Sequence, residues 1–376
     1  LTRPNWGFVV WDPSTNTAIG ELAAPTSRQI SYQLNDASLC NFQMNGRDPQ
    51  ALWVLETSTD IVAIRNGHMM YRGRLGSSSD SMDENTHSVS FSAIDYRGML
   101  SRRMVPGGGL TYTNVDQATI AWNLVTAAQS GAGGNWNITR GVWTPSVNRT
   151  LTAAGGAYID ATINDLSNLD NGFDWEINAH LALNVWPVPT KNIYTGLGRG
   201  QSIGMNLTYG DNVQHAARTT YTTNFANVVR YSGSNTVGAV TKDIVSEAIY
   251  SASFGTQGRW ETQEGNTDIT SSANLDAMAL AELTRTGILL PAYQLTLTKG
   301  WWDPTQLFLG DIVQVNVKSG RLNDHYQARV SQIDVYINDT SNTETVVVTV
   351  GTQVGNLLNR IVQNEKILYR STRTGT

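Results

Sequence analysis

The sequence predicts a mainly β protein of the α+β class, with two copies of one antiparallel β-domain flanking a small α/β insertion. Three observations predict it. Charged residues make up only 15% of the 376 residues and hydrophobic ones 40%, while Thr, Ser, Asn and Gly are abundant; Thr suits the pleat, and Asn and Gly make turns. Apolar and polar residues alternate with period two at both ends of the chain. Finally, the pieces at one end recur in the same order at the other. "TDIVAIRNG" from Thr59 is answered by "GDIVQVNVKSG" from Gly310, "YRGRL" from Tyr71 by "YQARV" from Tyr326, and "THSVSFSAI" from Thr86 by "TETVVVTV" from Thr343.

The elements follow in order. "WGFVVWD" turns at Pro13–Asn16 and returns through "AIGEL", and "RQISYQL" and "LCNFQMN" are separated by Asn35-Asp36. In "DIVAIRNGHMMYRGRL" the Asn66-Gly67 pair suits a type I′ hairpin turn, since both residues accept positive φ. "SVSFSAI" closes the set, with Val89, Phe91 and Ala93 on one face and Ser88, Ser90 and Ser92 on the other. The breaker cluster "PGGGL" at Pro106 then opens a different texture. Ala118, Ala121, Trp122, Val125 and Ala128 predict a helix from Asp116 to Ser130, and Ile159, Ile163 and Leu166 a second over 157–169. "FDWEI" and "LALNVWPV" form a hairpin about Asn178-Ala179-His180. Strands resume with "NVVRYSG", a helix is expected near 272–286, and the second strand set follows.

The expected domains are therefore 1–105, a first β-domain; 106–215, the α/β insertion; 216–352, a second β-domain containing the helix near 272–286; and 353–376, an amphipathic segment ending in a disordered "STRTGT" tail. Laying Asp60 on Asp311 places Val62 on Val313 and Ile64 on Val315, and laying Thr86 on Thr343 places Val89, Phe91 and Ala93 on Val346, Val348 and Val350. A slip of one residue would turn each side chain to the other face, so a shared phase over several strands points to one fold written twice. The plain alternative is that any two antiparallel sheets share alternation and a turn aspartate.

Several function classes find little support. A net charge of −5, with no basic run longer than Arg102-Arg103, argues against a nucleic-acid binder. Cys40 is the one cysteine, so there is no disulfide framework or cysteine metal site, and its apolar neighbours place it in a core. No apolar run approaches the roughly 20 residues of a membrane helix. The five histidines are scattered without metal-ligand spacing, no Ser sits in a nucleophile elbow, and "GLGRG" at Gly196 lacks a phosphate-loop setting. Asp170, Asp174 and Glu176 invite a glycosidase reading, but Asp174 and Glu176 fit a solvated strand face better. The eleven tryptophans raise sugar stacking, with Trp301-Trp302 the best place for it; as strand neighbours they point to opposite faces, one into the core and one toward a subunit contact.

The order of pieces over nearly the whole chain, with "NDLSNLDNGFDWEINAHLALNVWPV" and "LFLGDIVQV" as its local carriers, resembles the tail hub and baseplate hub proteins of tailed bacteriophages, nearest to tail-tip minor tail proteins of actinobacterial siphophages. The resemblance implies two tube-like β-domains and a structural virion protein at the distal tip of the tail, with no reaction and no cofactor of its own. It implies a homotrimer adapting six-fold tube rings to three-fold tips, in contact with a distal tail protein ring, the C-terminal end of a tape measure protein, and tip, fibre or receptor-binding proteins. Genomic DNA would pass through its channel without specific binding. A lumen that releases phosphate should be neutral to acidic, so Asp80, Asp83 and Glu84 in "GSSSDSMDEN", and Asp339 and Glu344 in "INDTSNTE", are the candidate channel or rim residues, and Trp301 and Trp302 the candidate subunit contact. A cell-wall glycan adhesin or glycoside hydrolase of a phage tail is the second reading, and the hub of a related injection machine a third.

Overall fold

The computed structural model describes residues 4–143, 146–167, 172–187, 202–220, 222, 225–237, 240–249, 251–265, 276, 279, 280, 283, 286, 287 and 291–351. Contacts divide the chain into two compact units, Leu1–Ala217 with Tyr293–Gly351, and Arg218–Ala292. The stretch 216–352, expected as one β-domain, is thus divided: its strands beyond Tyr293 pack with the first unit. The segment 353–376 lies outside the described residues.

The first unit opens with strands β1 (Trp6–Asp12), β2 (Thr17–Glu21), β3 (Thr26–Gln33), β4 (Leu39–Asn45), β5 (Asp60–Arg65), β6 (His68–Met82) and β7 (His87–Asp95). The insertion follows as α1 (Tyr96–Met99), β8 (Leu110–Asp116), α2 (Gln117–Gln129), β9 (Thr139–Trp143), β10 (Asn148–Ala153), α3 (Ile159–Ser167), β11 (Phe173–Ile177) and β12 (Ala182–Pro187). After β13 (Ser202–Thr208) and β14 (Val213–Thr219), the second unit holds β15 (Val228–Val237), β16 (Val240–Ile249), α4 (Phe254–Gln257) and β17 (Glu261–Gly265). The chain then returns through β18 (Ala292–Leu297), β19 (Ile312–Ser319), β20 (Leu322–Ile337) and β21 (Glu344–Val350).

Thirteen strands form one sheet with path β2-β1-β5-β6-β7-β4-β3-β20-β21-β18-β14, and β13 joins it through β19 on β20. The turns follow the sequence: Asn66 and Gly67 take φ of 51° and 82°, as a type I′ hairpin requires. One apolar core runs beneath both strand sets, with Phe8, Phe42 and Phe91 from the first and Leu295, Val313 and Val348 from the second. Cys40 lies in it, and burial pushes its thiol pKa up.

The insertion has its own core, in which Ile120, Leu124 and Ile163 pack with Phe173, Trp175 and Val185. The side chain of Asp116 caps α2 by accepting from Thr119 N at 2.9 Å. β11 and β12 form the expected antiparallel hairpin. The short strands β8, β9 and β10 were not expected from the sequence; β9 pairs in parallel with β12, and β10 pairs antiparallel with β8.

In the second unit β15 runs antiparallel to β16 and parallel to β17. Its core holds Val229, Tyr231, Ala279 and Leu283. Of the helix expected near 272–286, the described residues Asp276, Ala279, Leu280, Leu283 and Thr286 are helical. Asn227, fully buried, ties the unit's loops by donating to Ser253 Oγ and Gly258 O, both at 2.7 Å, and accepting from Trp260 N.

The two strand sets of the first unit share a pairing pattern. β5–β6 and β19–β20 are antiparallel hairpins, and β6 and β20 each continue past their hairpin onto β7 and β21. Register shifts interrupt both ladders at matching places, between Leu75 and Ser77 and between Val330 and Gln332. Leu75 opposes Ala93 and Val330 opposes Val350, so Gly76 matches Ser331 and Val89 matches Val346. The "DIV" strings, however, match out of phase. Leu75 N donates to Thr59 O and Val330 N to Asp311 O, which puts Asp311 level with Thr59, not Asp60. Ile61 and Ala63 then match Val313 and Val315, all on the core face, while Val62 shares the opposite face with Val9 and Arg72. Alternation failed here because both faces of β5 are buried: Asp60, Ile61, Val62 and Ala63 are each fully covered.

Where β7 hands over to the insertion, the Asp95 side chain accepts from Gly98 N at 2.8 Å and Ser38 N at 3.0 Å. Burial outweighs these bonds and raises its carboxyl pKa to about 6, above an unfolded value of about 3.9. The folded state therefore holds a proton that the unfolded chain releases between those values, and this group's contribution to stability falls as pH rises from about 4 to 6. The stability of wild type minus that of Asp95→Asn, from urea unfolding across this window, is expected to decline with rising pH; a flat or rising difference would contradict the assignment.

Candidate assembly surfaces

The feature that organises the first unit is the joint between its strand sets. β3 pairs antiparallel with the far half of β20, with Ile333 opposite Tyr32, Val335 opposite Ile30 and Ile337 opposite Arg28. Because Tyr32, Ile30, Ile333 and Val335 lie in one core, the ladder seals backbone groups and apolar side chains together. At its end Asp339 accepts from Ser27 N at 3.0 Å and pairs with Arg28 at 3.6 Å, while Arg28 Nη2 donates to Asn338 O.

A second tie joins the same two sets. Arg65 donates through Nη2 to Glu344 Oε1 at 2.6 Å and through Nε to Oε2 at 2.9 Å, a bidentate fork, and Trp6 Nε1 donates to Oε2 at 2.9 Å. Arg65 also lies 5.3 Å from the centre of the Trp302 ring. Glu344 is 3% exposed. It was expected on a channel rim; as the first residue of β21 it is instead an internal counter-ion, and a buried carboxylate cannot line a lumen. Trp302 is likewise core rather than subunit contact, 3% exposed with Nε1 donating to Leu307 O. Trp301 is half-buried against the same core and keeps an open face.

The acidic loops differ from expectation in shape. "GSSSDSMDEN" is strand as far as Met82, because Ser77 to Met82 pair in turn with Ser92 to His87; hydroxyl side chains tolerate the pleat. Only the tip beyond Met82 turns. There Asp83 accepts from Thr86 N, Asn85 N and Thr86 Oγ1, which hold its carboxyl below the usual range. Asp80 pairs with His87 Nε2 at 2.9 Å. Asp80, Asp83, Glu84 and Asp339 are all exposed.

Asp174 is neither wet nor free. It is 4% exposed and accepts from Asn35 Nδ2 at 2.6 Å, and Arg329 Nη2 donates to its other oxygen. The insertion is thereby held to the β3–β4 turn and to β20 through one carboxylate. Glu176 accepts from Asn184 Nδ2 at 3.1 Å. Asp170 lies outside the described residues. Nearby Arg97, buried, stacks 4.1 Å from the Trp175 ring centre and donates to Trp175 O and Asn164 Oδ1, with burial pulling its pKa down to about 10. Among the described residues no group of three or more His, Cys, Asp or Glu side chains is placed to hold a metal ion, and no helix is long and apolar enough to cross a membrane.

No protein-family model matches the chain, and no curated protein sequence does. Solved structures do. The 43 kDa tail protein of prophage MuSo2 from Shewanella oneidensis aligns over 92% of this chain and 97% of its own, with a TM-score of 0.62 at 13% identity. A tail protein from Neisseria meningitidis MC58 aligns over 92% and 97%, with a TM-score of 0.59 at 12% identity. Prophage tail protein gp18 from Listeria monocytogenes EGD-e aligns over 96% and 99%, with a TM-score of 0.53 at 13% identity. The chain thus has a fold found in prophage tail proteins, shared over nearly its whole length.

Two substitutions test the ties. Glu344→Ala leaves the half-buried Arg65 guanidinium and the buried Trp6 N–H without the Glu344 carboxylate, Arg65 keeping Trp302 O, and is expected to cost about 3 kcal/mol in urea unfolding, the low end for a broken buried pair. The double variant Glu344→Leu with Arg65→Met should recover most of that loss; equal instability of both would show that packing, not the ion pair, is at stake. Asp174→Ala is expected to cost about 2 kcal/mol and to loosen protection of β11 amides in hydrogen exchange. Unchanged stability would remove Asp174 as a structural tie.

Proposed function

We propose that the chain is a structural protein of a phage tail, the hub at its distal end, which acts as a trimer between six-fold tube rings and three-fold tip proteins. The observation that carries this reading is the matched register of the two strand sets, down to the shift at Gly76 and Ser331, together with the ladder that joins them edge to edge. Two like domains per chain, three chains to a ring, present six similar units to one neighbour and a three-fold face to another. The fold shared with prophage tail proteins supports the same reading.

In this reading the two strand sets are tube-like domains that surround the path of the genome. The exposed carboxylates Asp80, Asp83, Glu84 and Asp339 line or rim that path, where acid groups let DNA phosphate slide by without binding. The open face of Trp301 meets another subunit. The neighbours are the distal tail ring above, the end of the tape measure protein within, and tip or receptor-binding proteins below, and the protein has no reaction of its own. An averaged image of the assembled tail, with subunits counted, tests it: three chains in a ring of pseudo-six-fold outline are expected. Six chains, or a ring that leaves out one strand set, would contradict it.

A further inference from the structure

The in-chain ladder implies a second one that a single chain leaves open. β18 meets β21 as β4 meets β7: Cys40 and Phe42 oppose Ala93 and Phe91, and Tyr293 and Leu295 oppose Val350 and Val348. Since Ala93 matches Val350 and Phe91 matches Val348, β18 is the counterpart of β4. β3 lies beside β4 and β14 beside β18, so β14 is the counterpart of β3. β6 is the counterpart of β20, as their shared register shift shows. The chain pairs β3 with the far half of β20. The equivalent pair is β14 with the far half of β6, and these stand at separate places along the sheet path, with β18, β21, β20, β3, β4 and β7 between them. At about 4.8 Å per strand that is roughly 34 Å along the sheet.

We propose that the outer edge of β6, Ser77–Met82, forms an antiparallel ladder with the β14 edge, Val213–Ala217, of a second copy of this chain. The number of copies in the resulting ring rests on the hub reading above; the ladder itself rests on the pairing.

The state of the two edges fits. Among the described residues β14 pairs with β18, and beyond that only Val213 at its start is engaged, in a bridge to Tyr209. On β6 the outer backbone of Leu75 is taken by Thr57 and Thr59, and beyond it the strand pairs with β7 alone. Burial differs accordingly: Ile333, Val335 and Ile337 are covered by the in-chain ladder, whereas of their counterparts Asp80 and Met82 are open, Met82 being 74% exposed, and Ser78 is half-buried with its hydroxyl donating to Glu56. Ser78 stands where the other set has Ile333, and a shallow hollow opens there over Phe42 and Phe91, lined also by Ser27 and Ser90. An arriving strand would place a side chain in it. Charge agrees in sign, since the β6–β7 ribbon carries Asp80, Asp83 and Glu84, and β14 carries exposed Arg218. A long open edge is an invitation to pair, and a partner strand whose counterpart the fold already pairs in this way needs no new chemistry.

Cysteine pairs test the ladder without touching the core. Ser77, Ser79 or Ser81→Cys is combined in one chain with Gln214, His215 or Ala217→Cys, so that the panel samples several neighbouring registers; Cys40, fully buried, stays in place. Circular dichroism and melting confirm that each variant folds, and mild oxidation is applied to concentrated protein and to assembled tails. The expected result is covalent dimers and trimers in at least one pairing, tenfold or more above the single-cysteine controls. Control-level cross-linking in every pairing, in tails imaged with three chains per ring, would overturn the ladder while leaving the hub reading intact. Cross-links made only to a different tail protein would overturn it as well. Tails without three chains would remove the hub reading, and the ladder would then stand or fall on the cross-link alone.

Discussion

Most of the first unit depends on one antiparallel ladder, that between β3 and the far half of β20. It joins residues about three hundred positions apart in sequence, Arg28–Gln33 and Gln332–Ile337, so its loop-closure cost is met only when both strand sets are formed. What it returns is an uninterrupted sheet and an uninterrupted core. Without it β3 and β20 would each present backbone donors and acceptors to water along an edge whose inward side is Ile30, Tyr32, Ile333 and Val335. The ionic ties are arranged around this ladder. Arg28 with Asp339 closes its end, Arg65 with Glu344 clamps the neighbouring strands, and Asp174 holds the insertion to both sides of it.

The same ladder relates repetition to assembly. A chain made of two like domains could hold them on a flexible linker, and then nothing about one contact would constrain another. Here the two strand sets meet through strands that have counterparts on their far sides, so the in-chain contact specifies what an inter-chain contact of the same kind would look like. Divergence between the sets is concentrated where their surroundings differ. Ile333 and Val335 face a partner strand of their own chain and are aliphatic; Ser78 and Asp80, at matching positions, do not and are polar. Polar residues along an edge strand deter indiscriminate pairing with other strands.

Much of the architecture was legible in the sequence because it is local. The Asn66-Gly67 turn, the helix α2, the alternation of Val346, Val348 and Val350, and the β11–β12 hairpin each follow from residues within a few positions of one another. The phase of β5 was not, since a strand buried on both faces has no polar side to mark its register, and the shared letters "DIV" then mislead by one residue. The loop "GSSSDSMDEN" concealed six residues of strand because serine marks turns and edges alike. Glu344 and Asp174 read as solvated carboxylates for another reason. Their partners Arg65, Trp6, Asn35 and Arg329 lie more than a hundred residues away, and no local pattern announces a distant counter-ion.

The measurement that bears most directly on this account is amide hydrogen exchange of the isolated chain, resolved to individual strands. If the β3–β20 ladder unites the two strand sets, amides of Ile30, Tyr32, Ile333 and Val335 that face the ladder should be protected to the same degree as those of the β20–β21 ladder, and both sets should open together as denaturant is added. Faster exchange across β3 and the far half of β20, with the two sets opening at different denaturant concentrations, would contradict it.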